Sequence, residues 1–192
     1  MTERDDLVAI VGEAIVVVFG AVVRDGWRGR EREAVSLFAF EFLVPHAGGA
    51  ALETASQIGI ECAVPQVTDD GKRQVCKDLV IWPQPRMTVW DQQRRPTQVP
   101  RMILEWKVAG HPTTSKRTIE ELLRADIAWL EKFTSRYPDT LGVAVGIRWG
   151  QPSLLRARRV MGGRAEVRWW LSSEDAGPTP GEAPCRSVIP PN

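Results

Sequence analysis

The chain has 192 residues, a net charge of +1 and a 43% hydrophobic composition. That suffices for one domain with a real core, and the balanced charge excludes bulk attraction to nucleic acid or membrane, so any phosphate contact needs a local basic patch. Three cysteines without Cys-x-x-Cys spacing, and only two histidines, His46 and His111, argue against a disulfide scaffold and a Cys/His zinc site and suit a reducing, cytoplasmic setting.

The first segment, DDLVAIVGEAIVVVFGAVV, predicts a buried helix over residues 5–23, capped by Asp5 or Asp6 and followed by Gly26. Its uncharged run, Ala14 to Val23, falls short of the roughly 20 apolar residues that cross a bilayer. The acidic start is unlike a signal peptide, and the segment lacks the basic face of a membrane-lying helix. No membrane partner is expected. REREAVSLFAFEFLV (30–44) predicts a second helix, stopped by Pro45. A strand follows within 56–66. An Asp-Gly turn at 68–72 then returns the chain antiparallel through QVCKDLVIW. Residues 83–100 hold four prolines and little periodicity, so they form a loop. RMILEWKVA (101–109) is the third strand.

A helix comes next, with Thr118 and Glu121 at capping-box spacing and Leu122, Leu123, Ile127, Leu130 and Phe133 on its inner face. TLGVAVGIRWG (140–150) is a strand. Two further strands around Gly162-Gly163 make a C-terminal hairpin. One domain is expected over 1–171 and a disordered tail over 172–192, where prolines join glycines, serines and acids. Cys62 and Cys76 are expected as small core residues. Trp90, in the long loop, is the tryptophan best placed to stack on a base, with an anchor for the loop as the competing and favoured reading.

Three charges stand out because they interrupt apolar strands: Asp78 in KDLVIW, and Glu105 and Lys107 in MILEWKV. A buried carboxylate costs several kcal/mol unless it is paired. Strand period two puts Ile103, Glu105 and Lys107 on one face and Leu104, Trp106 and Val108 on the other. A carboxylate and an ammonium two residues apart on a rigid sheet can reach one point, with Asp78 on the neighbouring strand.

Asp78 followed by Glu105-Trp106-Lys107 resembles the PD-(D/E)XK nuclease superfamily. The element order over residues 30–149, a helix, three antiparallel strands, a helix and a strand, is similar to that superfamily's core. Lys77 stands where the motif carries proline, and the proline-rich loop lengthens the gap between the acids. The resemblance implies an α/β fold with a restriction-endonuclease-like core, a central mixed sheet flanked by helices. It implies a Mg²⁺-dependent nuclease, with Mn²⁺ as a substitute, acting on DNA in preference to RNA. Asp78 and Glu105 would hold the metal, Trp106 would add its carbonyl, and Lys107 would be the catalytic lysine. Superfamily members often add a glutamate from the first core helix. Glu33 is favoured, since Leu37 and Phe40 follow it along one face, with Glu31 next, then Glu41; Glu61 on the first strand is a further acid. Lys116 and Arg117, opening the helix after the Glu-x-Lys strand, suit a phosphate at a helix N-terminus.

Two other readings compete. One is a catalytically silent copy of the fold that binds nucleic acid or a protein. The other is a structural ion network across neighbouring strands. The sequence has no helix-turn-helix or zinc-finger reader; a nuclease without one often works as a homodimer or within a larger assembly, and the sequence leaves the oligomeric state open.

Overall fold

The structure, a computed structural model, describes residues 3–25, 29–67, 74–85, 90–109, 119–148, 154–162 and 165–173. Helix α1 spans Glu3–Asp25 and buries Leu7, Val11, Ala14, Ile15 and Val18. Those positions recur every three or four residues, the stripe that lets a helix lie on a core. An ion pair of 3.0 Å between Glu3 and Arg101 ties its start to the sheet.

The second helix is shorter than its apolar run suggests. Helix α2 covers Glu31–Leu37, a π-helical turn covers Phe38–Leu43, and a 3₁₀ turn over Val44–His46 ends it at Pro45. The buried residues are Ala34, Val35, Phe38, Ala39 and Leu43. The π turn holds an extra residue, which shifts the phase of the stripe. Phe40 lies on the side of the helix opposite that buried stripe and points outward at 66% exposure, instead of docking on the sheet with Leu37 as expected.

The strands are β1 (Ile58–Pro65), β2 (Gln74–Ile81), β3 (Met102–Ala109), β4 (Leu141–Arg148), β5 (Leu154–Gly162) and β6 (Ala165–Ser173). They form one mixed sheet in the order β1-β2-β3-β4-β6-β5. The pairs β1–β2, β2–β3 and β5–β6 are antiparallel, whereas β3–β4 and β4–β6 are parallel. Helix α3 (Ile119–Arg136) makes the crossover between parallel β3 and β4. The expected hairpin is present, and β6 continues to Ser173, two residues into the segment assigned to a tail. The Asp-Gly turn, Gly26, Thr118, and the rest of the tail lie outside the described residues.

Alternation along the strands fills two layers. On one face Leu79, Ile81, Met102, Leu104, Trp106, Val143 and Val145 pack with α1 and α2, and the Phe38 and Trp106 rings lie 5.1 Å apart. On the other face Val80, Ile103 and Ala144 meet Leu123, Leu130 and Phe133 of α3, with Leu122 and Ile127 half-buried beside them. Each large side chain fully buried this way contributes about 1.5–3 kcal/mol, enough in sum to carry a few costly charges. Against expectation, Cys76 is exposed and Cys62 only half-buried. Cys76 lies between Val75, which packs on the α3 layer, and buried Lys77, so strand alternation turns it to the other face, where it is exposed. No helix among the described residues is long and apolar enough to cross a membrane.

Candidate functional site

The sheet forks between β2 and β3. Their ladder pairs Ile81 with Met102, Val80 with Ile103 and Leu79 with Leu104, and no further pair forms among the described residues. Yet β2 stays paired to β1 back to Gln74, and β3 stays paired to β4 out to Ala109. At the fork Asp78 replaces a backbone partner: its Oδ2 accepts the Trp106 N–H at 2.7 Å. A strand N–H left unpaired in the interior costs about as much as a lost hydrogen bond, so one carboxylate oxygen both satisfies the backbone and fixes the side chain.

Glu105, the next residue inward on β3, is 5% exposed and ion-paired with Lys77, itself 6% exposed. The Lys77 ammonium also lies 3.6 Å from the centre of the Trp129 ring on α3. Burial pushes the Glu105 carboxyl up to about 7; Lys77 pulls it down and Asp78 adds to the rise. Burial outweighs the partner, as expected when desolvation exceeds the Coulombic gain.

Lys107 closes the cluster. Its Nζ donates to the Trp106 carbonyl at 2.8 Å and lies 3.3 Å from Glu31 Oε1 and 3.3 Å from Asp126 Oδ2. Burial works against this ammonium, but Asp126, Glu31 and Asp78 outweigh it and hold its pKa above the ordinary lysine value. Glu31 is shifted up, mainly by burial and against the pull of Lys107.

The structure therefore brings Asp78, Glu105 and Lys107 together at the fork. The helix acid that joins them is Glu31, not Glu33. Glu33 is exposed, and its carboxylate accepts the Arg30 N–H in a capping box at the start of α2. Glu31 lies three and four residues before Ala34 and Val35, on the buried side of α2; Glu33 belongs to the opposite side. Glu61 sits beyond the cluster, at φ 50°, paired with Arg32 at 2.7 Å. With Glu31, Asp78, Val35, Ser36 and Ile60 these two line an open cleft of about 230 Å³. Trp90 is 44% exposed in its loop, which a bridge to Pro96 closes. Lys116 and Arg117 lie outside the described residues.

Two members of the cluster escaped sequence reasoning. Lys77 reads in the sequence only as a departure from the motif, although it lies two residues from Val75, in line with a core position of β2. Asp126 sits three residues after Leu123 and four before Leu130, so an acid interrupts the inner stripe of α3. That interruption was its signal.

Four carboxylates, Glu31, Asp78, Glu105 and Asp126, thus act on two ammoniums, Lys77 and Lys107. Fully ionised, the cluster carries a surplus of two negative charges, and its acids are oxygen donors. Charge and donor type fit a hard divalent cation. Among the described residues, no three acidic, histidine or cysteine side chains are already gathered as a cation cage; the lysines interleave them. Compared with protein-family models, with curated proteins and with solved structures, the chain matches none.

Proposed function

We propose that the chain is a metal-dependent nuclease of the PD-(D/E)XK kind, with a restriction-endonuclease-like core, hydrolysing phosphodiester bonds in DNA in preference to RNA. One observation carries this reading: Asp78, Glu105, Lys107 and Glu31 converge where β2 and β3 part, beside an open cleft. The succession α2, β1, β2, β3, α3, β4, with the four strands adjacent in that order, supports it as well.

In this reading Asp78, Glu105, the Trp106 carbonyl and Glu31 hold Mg²⁺, or Mn²⁺ in its place. When bound, the cation supplies Lewis acidity and a water of lowered pKa. The chain's own groups do the rest. The Trp106 N–H keeps the Asp78 carboxylate in one orientation. Lys77 sits at Oε1 of Glu105 and favours the ionised carboxylate, leaving Oε2 as the atom assigned to the cation. Lys107, charged at neutral pH, stabilises the negative charge that develops on the scissile phosphate. Lys116 and Arg117 remain assigned to the phosphate backbone.

A second reading, a silent nuclease fold that binds nucleic acid or a protein, is favoured by a different observation: Glu105 and Lys107 already have ion partners. Mn²⁺ titration separates the two. A nuclease site binds the cation and loses it in Asp78→Ala; a silent site shows no affinity in either protein.

A further inference from the structure

Lys107 is held from both sides of the sheet. Glu31 reaches it from α2, which packs on the layer with Trp106; Asp126 reaches it from α3, which packs on the opposite layer. The two contacts are equal in length but unequal in setting. The Glu31 side chain is 39% exposed and lines the cleft beside Asp78. The Asp126 side chain is 20% exposed, and the cleft does not include it. Its Oδ2 is fully buried and makes no hydrogen bond; Lys107 is the ion partner that compensates it. A carboxylate oxygen in that position has no water to turn to if Lys107 leaves, whereas Glu31 can exchange its partner for a solute in the cleft. An acid set into the apolar stripe of α3 costs stability unless the pairing is kept.

We propose that Asp126 is a positioning residue that anchors the Lys107 ammonium at the end of β3, while Glu31 is the partner Lys107 gives up when the cleft fills. The catalytic consequence rests on the nuclease reading, because it takes a scissile phosphate as the group Lys107 serves; the anchoring does not. Two hydrogen-bond acceptors, Glu31 and the Trp106 carbonyl, and one ion partner, Asp126, fix the ammonium before a substrate arrives. Removing the buried one leaves a flexible four-carbon stem to find its place, the kind of misplacement that costs up to about 10²-fold in rate.

The test uses the full chain and the variants Asp126→Asn, Asp126→Glu and Glu31→Gln, each checked for folding by thermal melting. Side-chain NMR of the lysine ammonium groups is read first, with the Lys107 signal assigned by its loss in Lys107→Arg. The expected result is a slowly exchanging Lys107 ammonium in wild type and in Glu31→Gln, lost to water exchange in Asp126→Asn. Cleavage kinetics with Mg²⁺ are read second. Asp126→Asn is expected to lower kcat by roughly 10- to 100-fold with KM changed by less than about 3-fold, and Asp126→Glu to recover part of the loss. An ammonium signal that survives in Asp126→Asn, or disappears in Glu31→Gln, would overturn the assignment; so would an unchanged kcat in Asp126→Asn. If wild type cuts no nucleic acid, the nuclease reading falls, and the ammonium signal alone still decides the anchoring.

Discussion

Lys77→Met removes the ammonium from a buried ion pair and keeps most of its length. In wild type the Lys77 and Glu105 side chains are 6% and 5% exposed, and Trp129 lies 3.6 Å below the ammonium. Two costs follow, and they separate with pH. Loss of the cation–π contact costs roughly 1–2 kcal/mol at any pH. An uncompensated Glu105 charge costs about 3–5 kcal/mol, but only while Glu105 is ionised. Its carboxyl already titrates at about 7 with Lys77 present, so without that partner it titrates higher still. The variant should therefore lose only about 1–2 kcal/mol at pH 5.5, where Glu105 is protonated in both proteins, and about 2–3.5 kcal/mol at pH 8, because keeping Glu105 protonated one pH unit above the wild-type value adds up to about 1.4 kcal/mol; the pH 8 loss is a shift of about 1–2 M in the urea midpoint. Urea unfolding at the two pH values checks this. A loss that is equal at both, or smaller at pH 8, refutes the claim that Lys77 compensates a buried Glu105 charge.

The same linkage gives wild type a pH profile. Glu105 is raised in the folded state, so its contribution to stability is complete below about pH 4.5 and is lost as pH rises through about 7, with Glu31 acting in the same direction; thermal melts that rise over that window would contradict it. Glu33→Ala should cost about 1 kcal/mol through the lost cap and leave cleavage intact, whereas Glu31→Gln should impair cleavage, which a paired melt and activity assay would read. Trp106→Phe should be tolerated far better than Trp106→Ala, which should cost about 3–5 kcal/mol, because Trp106 Nε1 is buried without a hydrogen-bond partner and Phe gives up no bond there; comparable losses in denaturant titration would show that the indole N–H matters.

Much of the frame was legible in the sequence because it follows from periodicity. Strand alternation around Glu105 put Ile103 toward one layer and Leu104 and Trp106 toward the other, and the structure keeps that division. The three charges that broke apolar runs do meet. The helix glutamate was not legible, because two apolar stripes compete in this helix: Leu37 and Phe40 share the face of Glu33, whereas Val35 and Phe38 share the face of Glu31, and only the second pair is buried. Lys77 and Asp126 were missed for another reason. A charge on an apolar stripe reveals that it needs a partner but not which one, and each partner sits on the neighbouring element, 28 and 19 residues away in the chain. The fork itself has no local sequence signal, since it depends on β2 and β3 each keeping its outer neighbour while they part from one another.

The most direct test of the proposed nuclease is cleavage. Wild type, Lys107→Ala and Asp78→Ala would each be incubated with single- and double-stranded DNA and RNA in Mg²⁺, Mn²⁺ or EDTA. The account predicts metal-dependent cutting by wild type, strongest on DNA and absent in EDTA, with a loss of at least about 10²-fold in both variants. Cutting that persists in Lys107→Ala or in EDTA would contradict it, as would a wild type that cuts none of the four substrates.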